Sequence, residues 1–437
     1  MSEWSNISLG EVLTIKYGKD HKKLEDGMIP CYGTGGVMRY VEKSLSEEES
    51  ILLPRKGSLN NIYYINEPFW TVDTLFWSKV DKEKAIPKYL FYAISSFDLA
   101  SLNVGSAVPS LTVPVLNNLQ LNLPPLPEQK AIAHILGKLD DKIELNRQMN
   151  QTLEDMAQVL FKSWFVDFDP VLDNAMAAGN KIPEALQAMA EKRSLVPDEQ
   201  KLLSKNPELA SQFPSSFEYN ETLGKWIPEG WEDKTIDEVT ALVIDHRGKT
   251  PKKLGGDWVD YGYPAISAKN VKDRKLIRQD TIRFVNEELY TKWMKEPIQK
   301  GDIIMTSEAP MGEMFFVSDD TPYCLSQRLY GLRANGIDTT PMYLFGWLHT
   351  KIARADLEAR CTGTTVTGIK QSELRKVVVL SPPKLILKTY ESKIDALYSK
   401  VNTDQEQTET LTQLRDTLLP QLISGKVRVP EGFVEKI

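Results

Sequence analysis

The chain has 437 residues, 41% hydrophobic and 26% charged, and this ordinary globular composition excludes an intrinsically disordered protein. The length leaves room for two to four domains with hydrophobic cores. The formal net charge of −7 argues against a protein that simply coats DNA, although net charge averages over the faces of a molecule.

Residues 1–127 are predicted to form a first globular unit of mixed α/β structure. Short apolar runs at 51–54, 62–65 and 69–72 are rich in β-branched and aromatic residues, which is typical of strands. Residues 87–96 are predicted to form a short helix, because Tyr89, Leu90, Ala93 and Ile94 fall on one side of it.

Residues 128–168 are predicted to form a long helix that begins after the proline run at 124–127, since proline suits only the first turn of a helix. An unbroken heptad register runs through Ile132, Leu136, Leu139, Ile143, Asn146, Asn150, Leu153, Ala157, Leu160 and Trp164. The middle of this seam is polar, and polar seam residues can fix the register and partner of a coiled coil.

Residues 169–225 are predicted to be a connector, with five prolines and one or two short helices. A second globular unit follows at 226–383, with strands at 302–305 and 314–317 and a helix that starts near Pro341. A second long helix is predicted at 384–425, and residues 426–437 are a C-terminal tail.

The chain is an internal two-fold repeat. Residues 87–91 match residues 341–345, at an offset of 341 − 87 = 254. An offset of 258 carries Gly105 onto Gly363 and the prolines at 124–125 onto those at 382–383. This period is far longer than the roughly 20–50 residues of a solenoid repeat, so a domain and a helix are duplicated. The commonest target for such a pseudo-two-fold protein is duplex DNA, whose backbone has two-fold symmetry.

The two long helices are predicted to pair with each other, antiparallel, because the same 258 offset relates their seams. The proposed pairing residues are Leu139, Ile143, Asn146, Asn150, Leu153, Leu160, Leu397, Val401, Asp404, Thr408, Leu411 and Leu418. Helices of about 35 residues are roughly 50 Å long. The expected fold class is therefore α+β (mixed α/β), with two homologous globular domains separated by this helix pair in pseudo-two-fold symmetry. The alternative is that each seam is ordinary helix-packing surface.

A basic segment and two pairs of polar loops are the candidate DNA-binding surfaces. Between Asp245 and Arg283 the sequence has ten Lys or Arg and five Asp. The loops at 105–110 and 363–368 carry Gly with Ser or Thr, which suit close contact with phosphates, and the loops at 55–61 and 306–309 differ in side chains. The candidate DNA-binding residues are Lys16, Lys19, Lys22, Lys23, Arg39, Arg55, Lys56, Ser58, Asn60, Asn61, Ser106, Arg247, Lys249, Lys252, Lys253, Lys269, Asn270, Arg274, Ser307, Gln327, Arg328, Thr364 and Thr365. The alternative is that they form solvated surface.

Catalytic and metal-binding motifs are missing from the sequence. Gly248-Lys249-Thr250 resembles the end of a phosphate loop, but Val243 stands where that motif needs Gly. The four histidines are isolated, and no Cys-x-x-Cys spacing or amino-methyltransferase motif occurs. We therefore expect no catalytic residue, metal or cofactor on this chain.

The three cysteines are few and far apart, and the N-terminus has no apolar run. No stretch approaches the roughly 18 apolar residues that a membrane span needs. We expect a reduced, soluble, cytoplasmic protein.

Three segments together resemble the specificity subunit of type I restriction-modification systems. They are residues 123–133 (Leu-Pro-Pro-Leu-Pro-Glu-Gln-Lys-Ala-Ile-Ala), 161–168 (Phe-Lys-Ser-Trp-Phe-Val-Asp-Phe) and 223–231 (Leu-Gly-Lys-Trp-Ile-Pro-Glu-Gly-Trp). The second copy departs from the pattern at 384–387 (Lys-Leu-Ile-Leu), which leaves the start of its helix open.

The resemblance implies a DNA-binding, non-catalytic subunit with two target-recognition domains, 1–127 and 226–383, each recognising half of a bipartite site in double-stranded DNA. It implies that the conserved helices dock two modification subunits, which methylate adenine, and that motor-nuclease restriction subunits join through them. S-adenosylmethionine, ATP and Mg are then expected on the partners. The alternatives are a symmetric scaffold that binds no nucleic acid and a stand-alone DNA-modifying enzyme.

Overall fold

The computed structural model describes residues 4–105, 107–246, 248–363 and 367–434. The chain divides into two compact units: unit 1 comprises residues 1–150 and 402–437, and unit 2 comprises residues 151–401. Both units combine helices with sheets, which confirms the predicted mixed class. Each of two 40-residue helices contributes one part to each unit.

The described residues of unit 1 form nine strands and three α-helices before the unit boundary. The strands are β1 (Ser5–Ser8), β2 (Leu13–Tyr17), β3 (Asp26–Gly33), β4 (Gly36–Val41), β5 (Ser50–Pro54), β6 (Tyr63–Ile65), β7 (Trp70–Thr71), β8 (Leu75–Val80) and β9 (Gln120–Leu123). The helices are α1 (Pro87–Ser95), α2 (Val113–Asn117) and α3 (Leu126–Phe165), of which only the first part belongs to unit 1.

Unit 2 contains most of the remaining elements. Its helices are α4 (Asp169–Ala178), α5 (Gln187–Ser194), α6 (Leu202–Lys205), α7 (Pro207–Ala210), α8 (Ile236–Val239), α9 (Glu287–Trp293), α10 (Pro341–Leu348), α11 (Lys351–Ala359) and α12 (Gln371–Leu374). Its strands are β10 (Phe217–Asn220), β11 (Lys225–Pro228), β12 (Glu232–Thr235), β13 (Thr240–Asp245), β14 (Tyr263–Ile266), β15 (Val271–Lys272), β16 (Lys275–Leu276), β17 (Arg283–Val285), β18 (Ile303–Thr306), β19 (Met314–Phe316), β20 (Cys324–Leu325), β21 (Leu329–Ala334) and β22 (Val378–Ser381). Helices α13 (Lys384–Ile423) and α14 (Glu431–Val434) complete the chain.

The two units share one sheet topology. Unit 1 has a four-stranded sheet of order β2-β8-β5-β6 and a three-stranded sheet of order β4-β3-β7. Unit 2 has the orders β13-β21-β18-β19 and β17-β14-β20, and the pairing of β1 with β9 recurs between β12 and β22. The repeat found in the sequence is therefore also a repeat of strand order. Unit 2 adds the hairpin β15–β16 and helix α9.

Buried central strands place the loops that follow them. All five residues of β5 and all four of β18 are buried. Strands buried on both faces carry continuous apolar runs, so Ile51, Leu52 and Leu53 each have no exposed surface. The ends of β5 and β18 are consequently fixed points from which the next loops project.

The long helices pair antiparallel within each unit. In unit 1, Arg415 Nη1 lies 2.9 Å from Asp140 Oδ1, and the Asn146 amide donates to Gln407 Oε1 at 2.9 Å. In unit 2, the rings of Phe165 and Tyr390 meet edge to face at a centroid distance of 4.9 Å. Residue numbers rise along one helix as they fall along the other, which is the antiparallel order.

Some boundaries differ from those expected. Helix α3 begins two residues earlier than expected, at Leu126, and ends at Phe165, because Phe168 has a left-handed φ of 56°. Helix α13 begins at Lys384 and ends at Ile423, two residues before Gly425, whose φ is 72°. Proline and left-handed residues set these limits.

The expectation of one or two short helices in the connector was wrong. The connector contains four α-helices, α4 to α7. Val171, Leu209 and Phe213 belong to the hydrophobic core of unit 2. Asp173 also receives two hydrogen bonds from Arg193, at 3.0 and 2.7 Å. The prolines of the connector begin or separate these short helices, because proline fits the first turn of a helix.

Candidate nucleic-acid interface

In unit 1, hydrogen bonds join the two loops that the sequence singled out. The backbone N–H of Arg55 donates to Thr74 O at 2.9 Å, and that of Leu111 donates to Arg55 O at 2.9 Å. The N–H of Gly57 donates to Pro109 O at 2.9 Å. The loop after β5, the β7–β8 turn and the loop at 104–111 therefore form one surface. Ser106 lies outside the described residues.

Aromatic rings position the basic side chains of this surface. The Arg55 guanidinium lies 5.2 Å from the centroid of the Tyr17 ring, and Lys16 Nζ lies 4.9 Å from that of Trp77. Lys56 Nζ is 4.0 Å from Asp73 Oδ2, and its side chain is 45% exposed. Such cation–ring contacts hold a charge in place while leaving it accessible to solvent.

Asn60 and Asn61 are exposed, and their amides also make hydrogen bonds within unit 1. The Asn61 amide donates to Thr34 O at 2.8 Å, and the Asn60 amide donates to Asp98 Oδ1 at 3.3 Å while its oxygen accepts from the N–H of Ala100. Their contact with DNA stays a prediction.

The other basic candidates of unit 1 lie earlier in the chain, in the β2–β3 connection and on β4. Lys19, Lys22 and Lys23 are exposed, as is Ser58 in the loop after β5. Arg39 is held by Asp26, 2.5 Å away, and donates to Leu24 O at 3.2 Å.

Unit 2 repeats the same backbone framework with different side chains. The N–H of Ser307 donates to Arg328 O at 2.9 Å, and that of Ile369 donates to Ser307 O at 3.0 Å. The Arg328 Nε lies 2.9 Å from Glu308 Oε1. Ser307 is only 3% exposed, and its contact with DNA stays a prediction. Thr364 and Thr365 lie outside the described residues.

A cavity of about 580 Å³ in unit 2 gathers part of the basic segment. It is lined by Lys249, Thr250, Pro251, Lys252, Asp257, Trp258, Arg283, Trp293, Ser326 and Gln327. The Arg283 guanidinium lies 3.9 Å from the centroid of the Trp258 ring. Lys249 Nζ donates to Trp293 O at 2.8 Å and lies 3.2 Å from His246 Nδ1. Burial, followed by the charge of Lys249, lowers the pKa of His246.

The remaining basic candidates of unit 2 differ in their contacts. Lys252 and Lys269 are exposed, whereas Lys253 donates to Gly248 O at 2.8 Å. Arg247 lies outside the described residues.

Asn270 and Arg274 are corrected as DNA-binding candidates. Asn270 is 1% exposed, and its oxygen accepts from the backbone and hydroxyl of Ser267 at 3.1 and 2.8 Å. Arg274 lies 5.8 Å from the centroid of the Phe345 ring, in a second cavity lined by Tyr390 and Tyr398, and burial lowers its pKa. Both side chains serve internal packing.

The helix-pairing candidates vary in burial. Ile143, Asn146, Asp404 and Thr408 are buried, and the Asn146 amide also approaches Asp404 O at 3.4 Å. The half-buried members are Leu139, Asn150, Leu153, Leu160, Leu397, Val401, Leu411 and Leu418.

Five residues at these surfaces are absent from the candidates that the sequence indicated: Asp73, Glu308, Trp258, Arg283 and Trp293. Asp73 and Glu308 pair with basic candidates, and the other three line the cavity of unit 2. An offset of 306 − 54 = 252, which strand register gives by aligning Pro54 with Thr306, would have identified Glu308. It differs from the offset of 258 that relates Gly105 to Gly363. The tryptophans carried no local signal.

Neither a metal cluster nor a membrane helix stands out in the part of the chain that the structure describes. No group of three or more His, Cys, Asp or Glu side chains there is placed to hold a metal ion. Within the same residues, every helix is too short or too polar to cross a membrane.

Comparisons with known proteins agree with one another. A sequence profile described as the type I restriction modification DNA specificity domain matches residues 1–155 and 228–416. The chain is 28% identical over 364 residues to the type I restriction enzyme HindI specificity subunit of Haemophilus influenzae, covering 78% of each chain. It is 24% identical over 415 residues to the MjaIX specificity subunit of Methanocaldococcus jannaschii, covering 92% of this chain and 84% of that one.

A solved structure shares the fold. The crystal structure of a type I restriction-modification S subunit from M. genitalium superposes with a TM-score of 0.58 over 96% of both chains, at 15% sequence identity. At that identity the likeness concerns the fold alone.

Proposed function

Since this chain belongs to the type I restriction modification DNA specificity family and is a specificity subunit of such a system, we propose that each unit recognises one half of a bipartite site in double-stranded DNA. The observation that carries this proposal is the shared loop framework. The same backbone hydrogen bonds recur at Arg55 and Ser307, on equal strand order, with unequal side chains around them. Equal scaffolds with unequal loops suit two readers of different base sequences.

Base contacts and phosphate contacts have separate roles in this proposal. Arg55, Lys56, Gln327 and Arg328 extend from strand ends and contact base edges, since Arg and Lys pair with guanine and Gln with adenine. Exposed basic side chains beside them contact phosphates, which position the protein without carrying sequence information. These are Lys19, Lys22, Lys23, Lys252, Lys269 and Arg283, together with the half-buried Lys16.

We assign catalysis and cofactors to partner subunits. In this proposal two modification subunits dock on the long helices and bring S-adenosylmethionine, and restriction subunits bring ATP and Mg. Exposed apolar side chains on α3 support docking there: Leu145 is 52% exposed, Met149 42%, Met156 52% and Val159 67%. Apolar side chains at helical spacing are what a partner helix covers.

A domain exchange tests the assignment of half-sites. Residues 1–127 are replaced by the first domain of another family member, and the modified sites are mapped by methylome sequencing in cells that supply the modification subunits. We expect one half-site to change and the other to persist. A change in both half-sites, or in neither, would contradict one half-site per unit.

Two further measurements separate the alternatives. Methyl transfer from a labelled donor by the purified chain alone would contradict the non-catalytic assignment. A reconstituted complex that shifts no DNA in a gel at low salt would favour a scaffold that binds no nucleic acid.

A further inference from the structure

Strand register makes four loop positions equivalent between the units. Pro54 pairs with Leu75 across β5 and β8, and Thr306 pairs with Leu329 across β18 and β21. The next residues outward are therefore equivalent in pairs: Arg55 with Ser307, Lys56 with Glu308, Thr74 with Arg328 and Asp73 with Gln327. The backbone bonds described above agree, because Thr74 O and Arg328 O accept from Arg55 and Ser307 respectively.

The cation and the acid stand on opposite arms of this framework in the two units. In unit 1 the cations Arg55 and Lys56 follow β5, and the facing turn supplies Asp73, 3.9 and 4.0 Å away. In unit 2 the acid, Glu308, follows β18, and the facing turn supplies the cation, Arg328, at 2.9 Å. One framework thus carries its cation on opposite arms.

Stability does not account for this exchange. The side chains of Arg328 and Glu308 are 52% and 38% exposed, and exposed ion pairs contribute at most about 1 kcal/mol. Phosphate binding does not account for it either, since a carboxylate beside a phosphate repels it. Base edges differ in this respect: guanine presents acceptors, which suit Arg, and cytosine presents an amino donor, which suits a carboxylate.

The geometry of Arg328 favours guanine. Its Nε lies 2.9 Å from Glu308 Oε1, and within the described ranges, with gaps at 106, 247 and 364–366, its two terminal amino groups donate no hydrogen bond. The guanidinium is planar, so its two terminal amino groups are coplanar donors, and two coplanar donors match O6 and N7 of guanine.

We propose that the Arg328–Glu308 pair determines the specificity of unit 2, with Arg328 contacting a guanine edge and Glu308 acting as its positioning residue. In unit 1 the exchanged pair, Arg55 and Lys56 with Asp73, gives a different half-site. This inference rests on the proposed function and names the residues that carry it out.

The test uses the full chain in complex with its modification subunits. Arg328→Lys keeps the charge but replaces the planar fork of donors with a single ammonium, which fits the guanine edge less closely. We expect roughly 10- to 100-fold weaker discrimination at one guanine of the second half-site, with the first half-site and the salt dependence of binding unchanged. Glu308→Gln should relax the same position, because a neutral amide holds the guanidinium less firmly.

Arg375→Lys is the matched control, since Arg375 is an acid-paired arginine of the same unit, with its side chain 37% exposed, and lies outside the basic segment and the candidate loops. It should alter neither half-site. If the wild-type complex recognises a bipartite site and the Arg328→Lys variant discriminates it equally well, this inference is wrong while the proposed function stands. A wild-type complex without sequence preference would overturn the proposed function instead.

Discussion

Exposed lysines of unit 2 allow a quantitative test of phosphate contact. Lys252 and Lys269 are exposed, and across the part of the chain that the structure describes neither ammonium takes part in an ion pair or hydrogen bond. Lys249 and Lys253 differ, because their ammonium groups donate to backbone carbonyls. The double variant Lys252→Gln/Lys269→Gln therefore removes two charges without removing an internal contact.

Each lost phosphate contact flattens the slope of log K against log salt by about 0.9, so the double variant should lower its magnitude by about 1.8. Between 50 and 200 mM salt, about 0.6 logarithmic units, the wild type should then lose roughly 12-fold more affinity than the variant. The Kd of the reconstituted complex for its duplex, measured by fluorescence anisotropy over that range, gives both slopes.

The control is Lys181→Gln/Lys192→Gln, two exposed lysines in the connector that impose the same charge change. Its slope should equal that of the wild type. An unchanged slope for the first variant, or equal flattening in the control, would refute the assignment of phosphate contacts to Lys252 and Lys269.

Three further predictions concern stability and assembly. Arg193→Met strands the Asp173 carboxylate, whose side chain is 1% exposed, and should cost about 3–5 kcal/mol in urea unfolding, while Asp173→Leu/Arg193→Met recovers most of it. Burial is the main cause that lowers the pKa of His349 to about 3 from 6.5, so the unfolded chain binds the proton first and stability falls as pH drops below about 6.5. His349→Gln should remove up to about 1.4 kcal/mol per pH unit of that slope between pH 6.5 and 4.5, and an unaltered slope would contradict the reasoning. Ile143 is 2% exposed, so Ile143→Asp should unfold unit 1. Leu145 is 52% exposed, so Leu145→Asp should fold normally, but the variant should bind the modification subunits more weakly in a pull-down assay.

Periodic and repeated features were predictable from the sequence, because they depend on neighbours along the chain. The heptad pattern predicted both long helices, and apolar runs at 51–54 and 302–305 predicted the buried strands β5 and β18. The offset between Gly105 and Gly363 indicated that a domain was duplicated. In each case the pattern of buried side chains within one element is written in consecutive residues.

Only the tertiary structure decided which side chains of a basic or polar loop face outward. Asn270 is enclosed beside Ser267 and Arg274 lies among aromatic rings, although both stand in the same basic run as the exposed Lys269. The pairing of Glu308 with Arg328 depends on the register between β18 and β21, strands separated by more than twenty residues. A one-residue slip of register exchanges the faces of a strand. Loop residues carry no periodic pattern of their own, so the sheet alone determines which of them meet.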